Sequence, residues 1–178
     1  HNPSFCPQPG GEDGLYDAAL KAKEQGKIRH ISITNHRLTV AHQAIDSGLY
    51  ETLQFPFSYL AGEQEMELVQ KCREKNMGFI AMKGMAGGLI QDGITAAAWM
   101  DTQEGVVPIW GVQRESELDQ FLKCIREGAE LTKERLETIE KDRKELCGEF
   151  CRGCGYCMPC PAGIEINQCA RMSLMLRR

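Results

Sequence analysis

The 178-residue sequence has few aromatic residues, no long apolar run and no cluster of basic residues. Aromatic residues make up 7% of the chain, beside 42% hydrophobic and 26% charged residues. This composition is typical of a globular domain and excludes a disordered or fibrous chain. The formal net charge of -4, with no basic stripe, predicts no nucleic-acid partner, because phosphate binding needs clustered Lys and Arg.

No apolar run approaches the roughly 20 residues that span a bilayer, and the opening segment lacks the charged head and apolar stretch of a signal peptide. We therefore expect a cytoplasmic protein without a membrane partner. The first residue is His1 and not Met, so we expect that residues were removed or that the chain is a segment of a longer protein.

Helical and strand-like segments alternate along residues 1–126. Helical periodicity and cap residues predict helices near 15–26, 39–48, 63–75, 95–102 and 118–125. Thr39 is the predicted cap of the second helix, and the last helix has the clearest apolar stripe, formed by Leu118, Phe121, Leu122 and Ile125. Apolar runs predict strands near 31–34, 51–55, 77–82 and 106–110. Such alternation predicts an α/β fold with a parallel sheet covered by helices.

Residues 127–146 are predicted to form a charged helical connector with a narrow apolar stripe, capped by Thr132. The chain then changes character, because five of its nine cysteines fall between Cys147 and Cys160. A dense group of cysteines beside a cysteine-poor α/β part indicates a metal or redox site in a reducing compartment. The isolated Cys6, Cys72 and Cys124 are interpreted as small buried hydrophobic residues.

The cysteine-rich run predicts an iron–sulfur module over residues 147–178. Its four regularly spaced members are Cys151, Cys154, Cys157 and Cys160. The spacing matches the bacterial ferredoxin run C-x-x-C-x-x-C-x-x-x-C-P, except that one residue is missing before the last cysteine. We predict a [4Fe-4S] cluster with Cys160 as fourth ligand and Cys147 or Cys169 as reserves. A structural zinc is the alternative, although zinc sites usually separate two ligand pairs by a longer loop.

Four segments of the α/β part, followed by the cysteine run, carry a family resemblance. They are GKIRHISITNH, QFPFS, GFIAMKGMAGG and VVPIWGV, and the run is FCRGCGYCMPCPAGI. In this order they resemble the C-terminal half of an aldo/keto reductase of the subgroup with a ferredoxin-like iron–sulfur module. The resemblance implies a partial (β/α)8 TIM barrel in residues 1–126, containing the later strands only. It also implies NADP or NAD as coenzyme, a small carbonyl or alcohol as substrate, and a possible redox partner.

The same resemblance assigns roles to individual residues. By that match His1 orients and polarises the substrate carbonyl, and Thr34, Asn35 and Gln54 bind the nicotinamide carboxamide. Met82, next to Lys83, stands where the family commonly has an aromatic ring that stacks on the nicotinamide. The loop from Gly111 to Arg114 resembles the one that holds the adenosine phosphate. Gln120 and Phe121 replace the usual Glu-Asn pair, so NADP and NAD both stay open.

A complete eight-stranded barrel takes roughly 250 residues, about twice the length of the α/β part here. Half a barrel would leave two open sheet edges and one uncovered sheet face. We therefore expect a segment of a longer reductase, whose remaining catalytic residues lie upstream and which is not catalytically complete alone. Two alternatives remain: a non-catalytic iron–sulfur protein for electron transfer or assembly on a barrel scaffold, and a zinc-braced interaction module.

Overall fold

The computed structural model describes residues 4–112, 114–146, 157–170, 172 and 176. Strands and helices alternate along most of the chain. In order they are α1 (Leu15–Glu24), β1 (Ser32–Thr34), α2 (Leu38–Ser47), β2 (Thr52–Pro56), α3 (Glu63–Glu74), β3 (Gly78–Met82), α4 (Gly93–Asp101), β4 (Val106–Pro108), α5 (Glu115–Glu127), α6 (Lys133–Leu146) and α7 (Ile166–Cys169). A short 3-10 turn, Ala86–Gly88, lies between β3 and α4. The predicted α/β alternation is confirmed.

The four strands form one parallel sheet in the order β1-β2-β3-β4. Register pairs Ile33 with Leu53, Leu53 with Phe79, and Phe79 with Val106. Each strand thus pairs with the strand that follows it in the chain, with a helix between them. This arrangement is typical of repeated β/α units. Within the described ranges, no helix combines the length and apolar character that a membrane span needs.

The sheet has one apolar face and one mixed face. The apolar face carries the buried side chains of Ile33, Leu53, Phe55, Phe79 and Ala81. The ring of Phe79 meets that of Phe57 edge to face, with centroids 5.5 Å apart. On the opposite face, residues such as Gln54 and Ile80 are half-buried and Val107 is exposed. The sheet therefore buries one face and leaves the other partly accessible.

The chain divides into two compact units. The first contains the residues up to Phe57, together with Ala61–Met82 and Glu104–Ile109. It therefore holds the whole sheet and helices α1, α2 and α3. The second contains Ser58–Leu60, Lys83–Gln103 and the residues from Trp110 onward.

Helix α2 begins earlier than predicted, and the predicted cap Thr39 is wrong. The residue preceding the helix is Arg37, and Thr39 lies inside the first turn. The predicted end at Gly48 is confirmed, since Gly48 adopts the left-handed conformation with φ 66°. Glycine has no Cβ and takes this conformation without strain.

Helix α6 is anchored within the second unit by its last two turns. The hydroxyl of Tyr59 donates to the carboxylate of Asp142, and Nε of Arg143 donates to the Tyr59 carbonyl at 2.7 Å. Burial and the neighbouring carboxylate raise the pKa of the Tyr59 hydroxyl, so it stays protonated as the donor. The ring of Tyr59 also meets that of Trp99 edge to face, with centroids 6.5 Å apart. The charged helix is therefore tied to a buried tyrosine.

The prediction that Cys6, Cys72 and Cys124 are buried is confirmed. Burial raises the pKa of the Cys72 thiol to about 12, and only the thiolate is a good nucleophile. We expect Cys72 to resist iodoacetamide at pH 8 in the folded protein and to react after unfolding in urea. Mass spectrometry of the peptides measures this, and rapid alkylation of native Cys72 would contradict its placement in the core.

An exposed charge cluster in the first unit predicts an acid dependence. Glu51 accepts hydrogen bonds from Lys23 and His30, which lower the pKa of its carboxyl from 4.5 to about 2. A pKa lowered by folding stabilises the protein above the unfolded value, and this contribution is lost as the pH falls from 4.5 towards 2. We therefore expect the free energy of unfolding to fall less steeply with decreasing pH in Glu51→Gln than in wild type over this range. Urea unfolding at a series of pH values measures it. The same pH dependence of the free energy of unfolding in both proteins would contradict the prediction.

Candidate functional site

Two of the predicted coenzyme-binding residues lie side by side at the carboxyl end of the sheet. Thr34 and Gln54 are directly opposite each other in the β1–β2 register, and the Asn35 amide donates to the Gln54 carbonyl at 3.0 Å. Strands in a sheet are about 4.8 Å apart and paired residues point to the same face. The side chains of Thr34 and Gln54 therefore project together from the partly accessible face.

Met82 completes this group from the neighbouring strand. Nε2 of Gln54 lies 3.5 Å from Sδ of Met82, which is 7% exposed. A thioether sulfur is a weak hydrogen-bond acceptor. The Gln54 amide would therefore lose little free energy if it left this sulfur for a carbonyl oxygen. The structure thus brings Thr34, Gln54 and Met82 together, with one amide donor held in a weak bond.

Asn35 has a structural task at the turn that follows β1. Its side chain is completely buried, and its Oδ1 accepts hydrogen bonds from the amides of His36 at 2.9 Å and Arg37 at 2.8 Å. This local turn directs the chain from β1 into α2. A role of Asn35 towards a coenzyme stays a prediction.

The other predicted binding residues belong to the second unit. Lys83 is half-buried and adopts a left-handed backbone conformation, with φ 57°. Gly111 and Arg114 are exposed. Arg114 precedes α5, and its amide donates to Oε2 of Glu117 at 3.2 Å. The positive side chain of Arg114 thus stands in solvent at the start of a helix.

Gln120 and Phe121 serve packing within the second unit. Oε1 of Gln120 accepts from the amide of Gly93 at 3.2 Å, and the buried ring of Phe121 stacks on that of Trp110 with centroids 4.6 Å apart. Both side chains thus have partners within this unit. The contact of Trp110 with Phe121 was not predicted, because periodicity within α5 carries no information on residues outside the helix.

The predicted metal ligands are described only in part. Cys157 and Cys169 are exposed and Cys160 is half-buried, and all three are free thiols. Cys151 and Cys154, the reserve Cys147, and also His1, lie outside the described residues. In the described part of the chain, no group of three or more His, Cys, Asp or Glu side chains is arranged to hold a metal ion. The iron–sulfur module stays a prediction.

Comparison with known proteins bears on the fold and the family of this chain. A crystal structure of a putative 2,5-diketo-D-gluconic acid reductase B is similar in fold, with a TM-score of 0.56 and 19% sequence identity. The match covers 77% of this chain and 54% of that one, so the chain spans about half the length of that protein. No curated protein matches. The model of the aldo/keto reductase family matches residues 13–104. This is more than half of the sequence, and the chain therefore belongs to the aldo/keto reductase family.

Proposed function

We propose that this chain is the coenzyme-binding later half of an NAD(P)-dependent reductase that interconverts small carbonyl compounds and alcohols, and that it carries a [4Fe-4S] cluster. The observation that carries the reductase part is the pair Thr34 and Gln54 at the carboxyl end of the accessible sheet face. Barrel enzymes place their chemistry at this end of the strands. Family membership supports oxidoreductase chemistry of this kind.

The polar groups at this edge fit the carboxamide of a nicotinamide. A carboxamide offers one carbonyl acceptor and two N–H donors, while Gln54 and Thr34 both donate and accept. Exchange of the Met82 sulfur for the carboxamide oxygen would give the Gln54 amide a stronger partner. Bound NAD(P)H supplies the hydride, and these side chains would orient its ring. His1 would orient and polarise the substrate carbonyl.

The open edges of the sheet support a partial barrel. Among the described residues, β1 pairs only with β2 and β4 only with β3, so the sheet has two edges. Parallel sheets are normally covered on both faces or closed into a barrel. The coverage of 54% of the similar reductase agrees with a half barrel. We infer that further β/α units complete the barrel and contribute the remaining catalytic residues.

The cysteine run supplies the donor set for the cluster. Thiolates are the ligands of iron–sulfur clusters, and Cys157 and Cys160 are accessible free thiols. With Cys151 and Cys154 they would hold a [4Fe-4S] cluster, with Cys147 and Cys169 as alternative fourth ligands. Such a cluster would exchange single electrons with a redox partner or brace the tail. NADP and NAD both remain candidates for the coenzyme.

A second candidate function follows from Met82. Its sulfur lies against Gln54, where the resemblance implies an aromatic ring, so this position lacks the ring that would stack on a nicotinamide. A chain that kept the scaffold and lost hydride transfer would act as an iron–sulfur electron-transfer or assembly protein. It would show a visible spectrum that bleaches on reduction and no binding of a nicotinamide coenzyme.

Coenzyme titration of the full-length protein tests the reductase proposal. We expect Gln54→Leu to raise the Kd for NADPH or NADH about 10-fold, because one or two hydrogen bonds to the carboxamide are lost. Thr52→Val is the matched control: Thr52 lies on the same strand and face, two residues nearer the amino end. Wild-type protein that binds neither coenzyme would overturn the proposal, and equal affinity of wild type and Gln54→Leu would remove Gln54 from the site.

A further inference from the structure

The chain contains two Asp-Gly bonds, Asp13–Gly14 and Asp92–Gly93. At such a bond the glycine nitrogen can attack the side-chain carboxyl carbon of the preceding aspartate, because glycine has no Cβ to hinder the approach. The first bond precedes α1 in the first unit, and the second begins α4 in the second unit. The same reactive dipeptide therefore occurs in two environments of one protein.

The bond at the start of α4 is held firmly. Oδ1 of Asp92 accepts from the amides of Ile94 at 3.0 Å and Thr95 at 3.1 Å. Oδ2 accepts from Oγ1 of Thr95 at 2.6 Å. Gly93 is buried, and a Cβ built on it would come within 2.7 Å of Oε1 of Gln120. Both the carboxylate and the peptide plane of this bond are therefore fixed by their surroundings.

The bond before α1 has open surroundings. Asp13 is exposed, and in the part of the chain that the structure describes its carboxylate accepts a single hydrogen bond, from the amide of Leu15 at 2.8 Å. A Cβ built on Gly14 would meet no described atom within 4 Å. The peptide plane at this bond therefore has space to turn towards the carboxyl group.

The glycine amides do not distinguish the two bonds. That of Gly14 donates to the Gly11 carbonyl at 2.9 Å, and that of Gly93 donates to Oε1 of Gln120 at 3.2 Å. Each attack therefore breaks one hydrogen bond of the attacking nitrogen. The bond at α4 must also release a carboxylate from three hydrogen bonds instead of one. Each hydrogen bond to a charged group is worth about 10-fold or more in rate.

We propose that Asp13–Gly14 is a site of isoaspartate formation in the folded protein and that the fold protects Asp92–Gly93. The Gly14 nitrogen bonds to Cγ of Asp13, and a carboxyl oxygen leaves as water with the amide proton and one proton from solvent. Water then opens the resulting succinimide at either of its carbonyl carbons. Opening at the backbone carbonyl gives isoaspartate, whose main chain is one carbon longer directly before α1. This modification site is independent of the proposed reductase activity.

Incubation of the full-length protein at pH 7 and 37 °C tests the proposal. Electron-transfer dissociation of the digested peptides distinguishes isoaspartate from aspartate, which has the same mass. We expect at least about 10-fold more isoaspartate at position 13 than at position 92, the factor for one additional broken hydrogen bond to a charged group. Asp13→Glu should abolish the product at position 13, because glutamate would have to close a larger ring, and should leave position 92 unchanged.

Protein unfolded in urea is the matched control, since both bonds are then open to solvent. There we expect similar rates at the two positions. A slow reaction at position 92 in urea would show that its protection does not come from the fold and would overturn that part of the inference. Folded protein that forms isoaspartate equally at both positions, or forms none at position 13, would overturn the assignment of Asp13–Gly14 as the reactive bond.

Discussion

Replacing Phe79 by Ala is expected to lower the free energy of unfolding by about 3–5 kcal/mol, the range for deleting a buried aromatic ring. Phe79 is 1% exposed, lies on β3 and meets Phe57 edge to face. Its removal would leave a cavity on the apolar face of the sheet beside Leu53, with which it pairs in register. Urea unfolding followed by circular dichroism measures the change.

Phe5→Ala is the matched control for this prediction. Phe5 also belongs to the first unit but is 43% exposed, so its loss should change the free energy of unfolding by about 0.5 kcal/mol or less. A loss below about 1 kcal/mol for Phe79→Ala would contradict the core described here. The same result for both variants would mean that Phe79 is not at the centre of the apolar face.

Asn35→Ala is the second substitution for which we expect a large loss in the free energy of unfolding. The substitution removes a buried acceptor from the partly buried amides of His36 and Arg37, and a donor left without a partner away from water costs about 1–3 kcal/mol. We expect the free energy of unfolding to fall by that amount, because the turn that leads into α2 loses its side-chain support. Urea unfolding is again the measurement.

Asn35→Ser serves as the partial rescue. A serine hydroxyl forms the same kind of turn more weakly, so Asn35→Ser should recover part of the stability lost in Asn35→Ala. Wild-type stability in Asn35→Ala would show that the turn does not depend on this side chain. Equal losses for Ala and Ser would point to the volume of the side chain and not to its hydrogen bonds.

The strands and most helices could be predicted from local pattern. The β-branched run around Ile31 and Ile33 became β1, and the apolar spacing of Leu68, Val69 and Cys72 defined the buried side of α3. These elements are recognisable because each alternates with a polar or glycine-containing turn. The exact start of α2 was not recognised, because its turn depends on Asn35 and not on a cap at Thr39.

The buried side of helix α5 could not be predicted from its hydrophobic periodicity. Its predicted stripe included Phe121, which is buried, but also Leu118, Leu122 and Ile125, which are exposed. Phe121 stacks on Trp110, and a contact with a residue outside the helix leaves no signal in the periodicity of the helix itself. The same holds for Gln54 and Met82, which the register of the sheet brings together.

We propose that a reductase scaffold carries an iron–sulfur cluster on its cysteine run. The most direct measurement is the iron and acid-labile sulfide content per chain of the anaerobically purified full-length protein. We expect about four of each, with near-complete loss in Cys157→Ser and retention in the control Cys6→Ala. Zinc without sulfide, or iron content that is unchanged in Cys157→Ser, would contradict it.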